Sequence, residues 1–340
     1  MLQAMKEAEA AAQRARSKPF ALDVHFFFIE KNADSLGYLR RTIAESEFRG
    51  LLDDKIDLVQ AEFVETVPQI VNVVKTRGRA GRAIFSLDQY GYSDVPFPTI
   101  RGILASLENA EIILTFATDW LIDYLGKNEQ TQQILANLGI QLPPKMIATA
   151  KGQVDWRRII QLALHEEIPR RSEARFYTPF FIRSEEAHRD YWLVHLSGHF
   201  RARDVMVGLH WKENRSFAHY GRPGLRMLGY DPQFDEDWNK QKLLGFFFDD
   251  TALALSKAEL MEQLPERLAG HKEGIVFSKF FGALTNEVPV TQKIMADVLR
   301  ELAREGLVEI RDSTGLTVRR SGIQRPSDVI LISGQKRLFT

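Results

Sequence analysis

The sequence predicts an α/β fold followed by a winged helix-turn-helix, and three observations lead to that prediction. Over the first half of the 340 residues, short apolar runs alternate with amphipathic stretches, a pattern typical of a parallel, doubly wound sheet. Residues 122–175 interrupt the alternation and predict a helical insertion. From about residue 252 the pattern changes to helices and ends in a hairpin. We therefore predict two domains, residues 1–250 and residues 251–340.

The first half contains four predicted strands that alternate with helices. Residues 2–16 predict an opening helix, because strong helix formers continue without a breaker until Pro19. The predicted strands are DVHFFFIEKN, KIDLVQAEF, RAIFSLDQYG and AEIILTFATDW, and the helices between them are ADSLGYLRRTIAESEF, VPQIVNVVKTRG and FPTIRGILASLEN. Because such helices form right-handed crossovers, we expect the strands to lie parallel.

The second half returns to strands and then to a compact helical pattern. TPFFIRS and YWLVHLSGH predict strands, and RARDVMVGLHWKE predicts a helix. Nearer the end, GIVFSKFFGALTN and VPVTQKIMADVLRELAREG predict two amphipathic helices, the second ended by Gly306. LVEIRDSTGLTVRRSGIQRPSDVILIS predicts two strands around a basic loop. Helix, turn, helix and hairpin together predict a winged helix-turn-helix.

Composition excludes several classes of function. The chain has 45 basic and 45 acidic residues, so no global field attracts nucleic acid or a membrane, and any basic surface must be local. It contains no cysteine, which excludes disulfides, thiolate metal sites and a cysteine nucleophile. No apolar run approaches the length of a membrane helix, and the charged N-terminus differs from a signal peptide. We expect a cytoplasmic protein.

Acidic side chains follow three of the predicted strands. Glu30, Glu62 and Asp88 each lie at or near a strand end. Ligands of open parallel sheets bind beyond the carboxyl ends of the strands, so these residues are candidates for one site. The alternative is that they occupy helix caps and first turns, which also favour acids.

Four stretches carry a resemblance to a known family: FFFIEKN, DLVQAEFVETVP, IFSLDQYGYSDVPFPTIRGIL and YWLVHLSGHFRARDVMVGLHW. In this order they resemble the three-Cys-motif partner (TcmP) family, over roughly residues 1–335. Its members are similar to class I S-adenosylmethionine-dependent methyltransferases and usually carry a C-terminal winged helix. The resemblance therefore implies a Rossmann-like, methyltransferase-type sheet.

The resemblance also implies roles for individual residues. Glu30 would accept hydrogen bonds from the ribose hydroxyls of S-adenosylmethionine, and Glu62 would lie beside the adenine. Asp88 and Tyr90 would be catalytic, at the edge where amino-methyltransferases hold the acceptor nitrogen. Gln89 and Tyr90 replace the proline and phenylalanine of the family's Asp-Pro-Phe-Gly. A radical-SAM-like protein with three cysteines is the implied partner.

One departure from the family concerns the cofactor. The family begins with an apolar strand and a glycine-rich turn that holds the methionine end, and no such stretch precedes Glu30. We therefore expect weak binding of S-adenosylmethionine, or none. Two functions stay open: a methyltransferase-like protein that acts on or with nucleic acid, and a non-catalytic subunit that binds nucleic acid or a partner on a degenerate scaffold.

Two histidines, in the stretch HLSGH, are candidate metal ligands. His195 and His199 are close in sequence, but they lie at a predicted strand end and turn, and no third ligand has suitable spacing. We predict no metal site.

The predicted winged helix contains seven candidate nucleic-acid-binding residues. Arginines on or near the hairpin suit phosphates, and residues at the start of the second helix commonly meet base edges. The candidates are Arg311, Arg319, Arg320 and Arg325 in the wing, and Thr291, Gln292 and Lys293 in the helix. The alternative is a module for protein docking or dimerisation, because the same helix carries acids at Asp297, Glu301 and Glu305 that would face phosphates poorly.

Overall fold

The computed structural model describes residues 1–78, 81–88, 95–117, 167–183, 190–212, 224–225 and 249–333. The described residues fall into two compact units, those up to residue 73 and those from residue 74 onward. Each unit is described by itself.

The first unit is built around a pair of parallel strands. Helix α1 (Leu2–Arg14) precedes β1 (Phe26–Ile29), and α2 (Ala33–Ala44) leads through a 3-10 turn to β2 (Ile56–Val59). The two strands pair in register from Phe26 opposite Ile56 to Ile29 opposite Val59. Asn32 begins α2, because its side chain accepts a hydrogen bond from the N–H of Ser35.

Helix α3 (Phe63–Thr76) leaves β2 and ends in the second unit. It buries one apolar side, which includes Val67, Ile70 and Val71. Pro68 lies in its interior near the start of the helix. The predicted order of strand, helix, strand and helix is therefore present in this part of the chain.

The second unit contains a mixed, four-stranded sheet. Its strands are β3 (Ala83–Asp88), β4 (Ala110–Ala117), β5 (Phe176–Arg183) and β6 (Asp190–Ser197), in the order β3-β4-β6-β5. Helix α4 (Phe97–Ser106) connects β3 to β4, which lie parallel. Strand β6 runs antiparallel to both β4 and β5. Pro179 is on β5, an edge strand among the described strands, where its missing N–H is tolerated.

The predicted parallel pairing is present between β1 and β2 and between β3 and β4. Strand β6, whose direction the sequence analysis did not predict, is antiparallel to both of its neighbours. Only residues 184–189 connect β5 to β6, and a parallel connection needs a crossover of about a dozen residues or more. The short connection therefore requires an antiparallel pair. The described strands also form separate sheets, since β1 and β2 pair with each other and with no other described strand.

Helix α5 (Phe200–Lys212) packs on β5 and β6. Val207 of the helix and Phe180 of β5 are fully buried in one apolar cluster with Ala252. Arg203 and His210 lie on the buried side of the same helix and are also almost inaccessible. A buried guanidinium and a buried imidazole need polar partners, so this side of α5 must meet more than the sheet.

The C-terminal part is a winged helix. In chain order it contains α6 (Asp250–Ala269), β7 (Ile275–Val276), α7 (Phe277–Leu284), α8 (Gln292–Arg304), β8 (Val308–Arg311) and β9 (Val329–Ile332). The three strands form a sheet in the order β7-β9-β8. One apolar core joins the helices to the wing, and it includes Leu264, Phe277, Leu299 and Ile330. The predicted helix, turn, helix and hairpin are confirmed.

None of the described helices is both long enough and apolar enough to cross a membrane.

Candidate nucleic-acid interface

Helix α8 is the second helix of the helix-turn-helix. Thr291 begins it, because its hydroxyl accepts a hydrogen bond from the N–H of Ile294 at 3.2 Å. Met295, Val298 and Leu302 bury one side in the winged-helix core. The hydroxyl of Thr291 therefore has a structural role at the helix start.

The turn before α8 is buried under α5. Thr285, Val288 and Val290 have no more than traces of exposed surface. The guanidinium of Arg203 donates to the backbone carbonyls of all three, at 2.8 Å for Thr285. A buried turn leaves carbonyls without water, and the planar fork of arginine donors supplies their partners.

Two further side chains of α5 hold the same region. The indole N–H of Trp211 donates to the carbonyl of Pro289. The carboxylate of Asp204 accepts from the N–H of Gln292 at 2.7 Å. A side-chain Cβ built at Gly208 would lie 3.8 Å from Thr291 Cγ2, so the two helices approach closely there. The start of α8 is therefore anchored to α5.

Burial changes the pKa values of the two charged residues that hold the start of α8, Arg203 and Asp204. Desolvation lowers the pKa of Arg203 to about 10, partly opposed by Asp204. Desolvation also raises the pKa of Asp204, against the hydrogen bond from Gln292 and the charge of Arg203. Arg203 stays protonated at neutral pH and keeps its donors.

The accessible side of α8 has balanced charge. It carries three cations and three carboxylates: Lys293, Arg300, Arg304, Asp297, Glu301 and Glu305. Asp297 accepts from Lys293 at 3.3 Å and from Arg300 at 2.7 Å, so two of the cations are already paired. This surface offers little net attraction to a phosphate backbone.

Two of the four wing arginines have partners within the wing. Arg311 forms an ion pair with Glu309 and donates to the carbonyl of Gly315 at 3.2 Å. Arg319 lies 3.7 Å from the carboxylate of Asp328, which is fully buried. The other oxygen of Asp328 accepts from the N–H groups of Gln324 and Arg325. Arg311 therefore stabilises the hairpin, and Arg319 lies beside the Asp328 carboxylate without a hydrogen bond between Nε and Oδ1.

The other two wing arginines are exposed. Arg320 and Arg325 form no ion pair with any carboxylate in the described part of the chain. The loop between them approaches α8 closely, since a Cβ at Gly322 would lie 3.0 Å from Arg300 Cβ. Gly322 has φ +88°, which also favours glycine. The wing loop is thus supported by α8, and it presents two cations that form no ion pair within the described part of the chain.

Glu30 and Glu62 lie at one edge of the β1–β2 pair. The N–H of Glu30 donates to the carbonyl of Val59, the last residue of β2, at 3.1 Å. Glu62 follows the same strand and is exposed. One carboxylate oxygen of Glu30 accepts from the N–H of Asn32 at 2.7 Å. The structure thus brings the two predicted cofactor residues to a common edge, and Glu30 also organises the turn into α2.

Asp88 is the last residue of β3, opposite Thr115 of β4, and its side chain is exposed. It lies at the carboxyl end of its strand, as predicted. Tyr90, the other predicted catalytic residue, lies outside the described residues.

His195 and His199 each contact another group in the described part of the chain. His195 is buried and contacts the carboxylate of Glu111 at 3.0 Å. The Nδ1 atom of His199 accepts from the N–H of Arg201. Among the described residues there is no group of three or more histidine or acidic side chains suited to a metal ion.

Sequence reasoning missed the anchor formed by Arg203, Asp204 and Trp211. RARDVMVGLHW predicts a helix, but the partners of these side chains are carbonyls and N–H groups nearly eighty residues away or more. One signal was present in the sequence. The spacing of Arg203, Val207 and His210 places them on one side of the helix, so two polar residues share the buried side with an apolar one.

The comparison with protein families agrees with this geometry. A family described as GMT-like wHTH domain matches residues 229–315, which include α6, α7, α8 and β8. The C-terminal part of the chain is therefore similar to a winged helix-turn-helix domain in sequence as well as in structure. No curated protein matches the chain.

Proposed function

We propose that the protein binds nucleic acid through the wing of its C-terminal winged helix. The observation that carries the proposal is the pair of exposed arginines, Arg320 and Arg325, which have no carboxylate partner among the described residues. Exposed cations on a projecting hairpin suit phosphate oxygens, since each contact releases counterions.

The anchor on α5 supports the wing over α8 as the main contact. The start of α8, where helix-turn-helix proteins commonly meet bases, is held by Asp204 and packed beside Gly208. Lys293 is exposed but pairs with Asp297. We expect a smaller contribution to nucleic-acid binding from the predicted contacts on α8 than from the wing. These contacts are Thr291, Gln292 and Lys293.

A second candidate function is methyl transfer from S-adenosylmethionine, as the resemblance to the three-Cys-motif partner family implies. Glu30 and Glu62 at one strand edge support it, because carboxylates there accept hydrogen bonds from ribose hydroxyls. The cofactor would supply the methyl group. Asp88 would accept a hydrogen bond from an acceptor amine and orient it. The three-cysteine protein partner likewise rests on the resemblance.

The residues present fit part of that cofactor. Asn32 occupies one oxygen of Glu30 and leaves the other available for a hydroxyl. Glu62 is exposed and has the same acceptor chemistry. Both features suit the nucleoside end. If the methionine end finds no donors, the protein is the non-catalytic binding subunit of the alternative hypothesis.

Binding of duplex DNA and of RNA at about 50 and about 200 mM salt tests the leading proposal. Three proteins are compared by fluorescence anisotropy: the native chain, the wing variant Arg320→Ala/Arg325→Ala, and the helix variant Lys293→Ala/Arg304→Ala. All four side chains are exposed, so both variants should fold, and each removes two charges.

We expect the native chain to bind at low salt and to weaken steeply as salt rises. The wing variant should lower the salt slope by about two units, and the helix variant should change it little. Absence of binding at low salt, or equal effects of the two variants, would contradict the proposal and favour a protein-docking role.

A further inference from the structure

The apex of the wing presents an apolar side chain to solvent. Leu316 is 86% exposed, and Val318, two residues later, is 50% exposed. Val318 pairs with Arg311 in an antiparallel bridge, so residues 312–317 form the tip beyond the hairpin. An exposed leucine is common on protein surfaces, and its exposure alone does not indicate a ligand.

The tip is a rigid turn, which separates Leu316 from an ordinary exposed leucine. The N–H of Asp312 donates to Thr317 O at 2.8 Å, and the N–H of Gly315 donates to Asp312 O at 2.9 Å. Gly315 has φ +75°, a conformation that favours glycine. Arg311 holds the carbonyl of Gly315 from one side. Leu316 is therefore held outward before any partner arrives.

The carboxylate at the tip, Asp312, accepts hydrogen bonds from within the tip. Oδ1 of Asp312 accepts from the N–H and the hydroxyl of Thr314, at 3.1 and 2.6 Å, and from the N–H of Thr317 at 3.4 Å. These hydrogen bonds, above all that from the Thr314 hydroxyl, hold the pKa of Asp312 below its usual range. Asp312 is therefore ionised at neutral pH, and the charged groups at and beside the tip are this carboxylate and the exposed Arg320 and Arg325.

We propose that Leu316 is an apolar wedge that enters the minor groove of duplex DNA while Arg320 and Arg325 hold the bordering phosphates. This inference rests on the proposed function and names duplex DNA as its ligand. Apolar side chains such as leucine partly unstack base steps in this way, and the bent duplex then meets more protein surface.

The dimensions of the wing agree with this arrangement. Arg320 follows Leu316 by four positions, a span of at most about 13 Å in extended chain. The minor groove of B-DNA is about 6 Å wide and about 7.5 Å deep. A leucine inserted in the groove therefore leaves Arg320 within reach of phosphates at its border.

The test uses a short duplex with a central TA step, which unstacks easily, and 2-aminopurine at that step. Affinity and 2-aminopurine fluorescence are measured for the native chain, Leu316→Ser, Leu316→Met and Leu255→Ser. Leu255 is 42% exposed on α6 and provides a matched loss of an exposed leucine away from the wing. A single-stranded oligonucleotide of the same composition is measured in parallel.

We expect the native chain to raise the fluorescence of the duplex. Leu316→Ser should abolish the rise in fluorescence. It should also weaken duplex binding about tenfold, because the complex loses the apolar side chain that it buries. Leu316→Met and Leu255→Ser should behave like the native chain, and binding to the single strand should not depend on Leu316.

Two failures are distinguishable. If the native chain binds the duplex but Leu316→Ser changes neither affinity nor fluorescence, the wedge is wrong and phosphate binding by the wing stands. If the native chain binds no nucleic acid, the proposed function itself fails, and the wedge fails with it.

Discussion

The carboxylate of Asp204 on α5 accepts a hydrogen bond from the N–H of Gln292, the first residue of α8, at 2.7 Å. The first N–H groups of a helix have no partner within the helix, and an acid there also suits the positive end of its dipole. Helix α5 therefore supplies a hydrogen-bond acceptor for the start of α8, the second helix of the helix-turn-helix.

Asp204→Ala should lower the free energy of unfolding by about 1 kcal/mol, the usual loss when a helix start loses its acceptor. Asp204→Asn keeps an acceptor oxygen and should lose less. Urea unfolding of the two variants provides the measurement. An alanine variant as stable as the native chain would mean that Gln292 has no need of this contact.

Arg203→Met should be far more damaging, by about 3–5 kcal/mol, because it leaves the carbonyls of Thr285, Val288 and Val290 buried without a donor. Arg203→Lys keeps the charge but loses the planar fork, so its loss should be intermediate.

Hydrogen exchange locates the effect of these changes. The amides of residues 285–295 should lose protection in Arg203→Met before the amides of β4 and β6 do. Equal loss of protection throughout the second unit would show that Arg203 supports the whole unit and not the turn in particular.

The buried imidazole of His210 should make stability depend on acid pH. Its Nδ1 atom donates to the carbonyl of Met206 at 2.6 Å, and burial, with a smaller effect of His195, lowers its pKa from 6.5 to about 3. Between these values the unfolded chain binds a proton that the folded chain does not bind. The free energy of unfolding should therefore fall as pH falls from 6.5 towards 3, by on the order of a few kcal/mol.

His210→Asn keeps a donor for Met206 and cannot titrate, so it should flatten this part of the pH profile. His271→Asn is the matched control, because His271 is exposed. Unfolding midpoints in urea at several pH values provide the comparison. An unchanged slope in His210→Asn would assign the acid sensitivity to other groups.

Local patterns were sufficient to predict most elements but not their pairing. The winged helix is visible in the sequence because its helices are strongly amphipathic and short connections keep them adjacent. The direction of β6 depends on its partners in space, and its apolar run DYWLVHLS carries no mark of direction. The short connection at residues 184–189 was the available clue.

The residue types of the candidate nucleic-acid interface were predictable from the sequence, but the accessibility of their side chains was not. The arginine content of the wing is plain from the sequence, yet only the structure distinguishes Arg319, beside buried Asp328, from exposed Arg320. In the same way, a pattern cannot show that the start of α8 is anchored by Asp204. Ion pairs and caps across long sequence separations depend on the tertiary fold.

Binding of S-adenosylmethionine to this chain should be weak or absent when measured by calorimetry near about 1 mM. Glu30 and Glu62 offer acceptors for the nucleoside end alone. If binding occurs, Glu30→Ala should remove it. Glu30→Gln is the structural control, because it keeps an oxygen for the N–H of Asn32. Saturation at micromolar cofactor would contradict the expectation and favour methyl transfer.

Photo-crosslinking tests most directly whether the wing is the surface that meets nucleic acid. Benzoylphenylalanine is placed at Ser321, beside Arg320 in the wing, or at Glu301 on the accessible side of α8; both positions are exposed. We predict that the probe at position 321 crosslinks to duplex DNA at low salt, that high salt suppresses the crosslink, and that the probe at position 301 gives little product. Crosslinking from position 301 without any from position 321 would contradict the account.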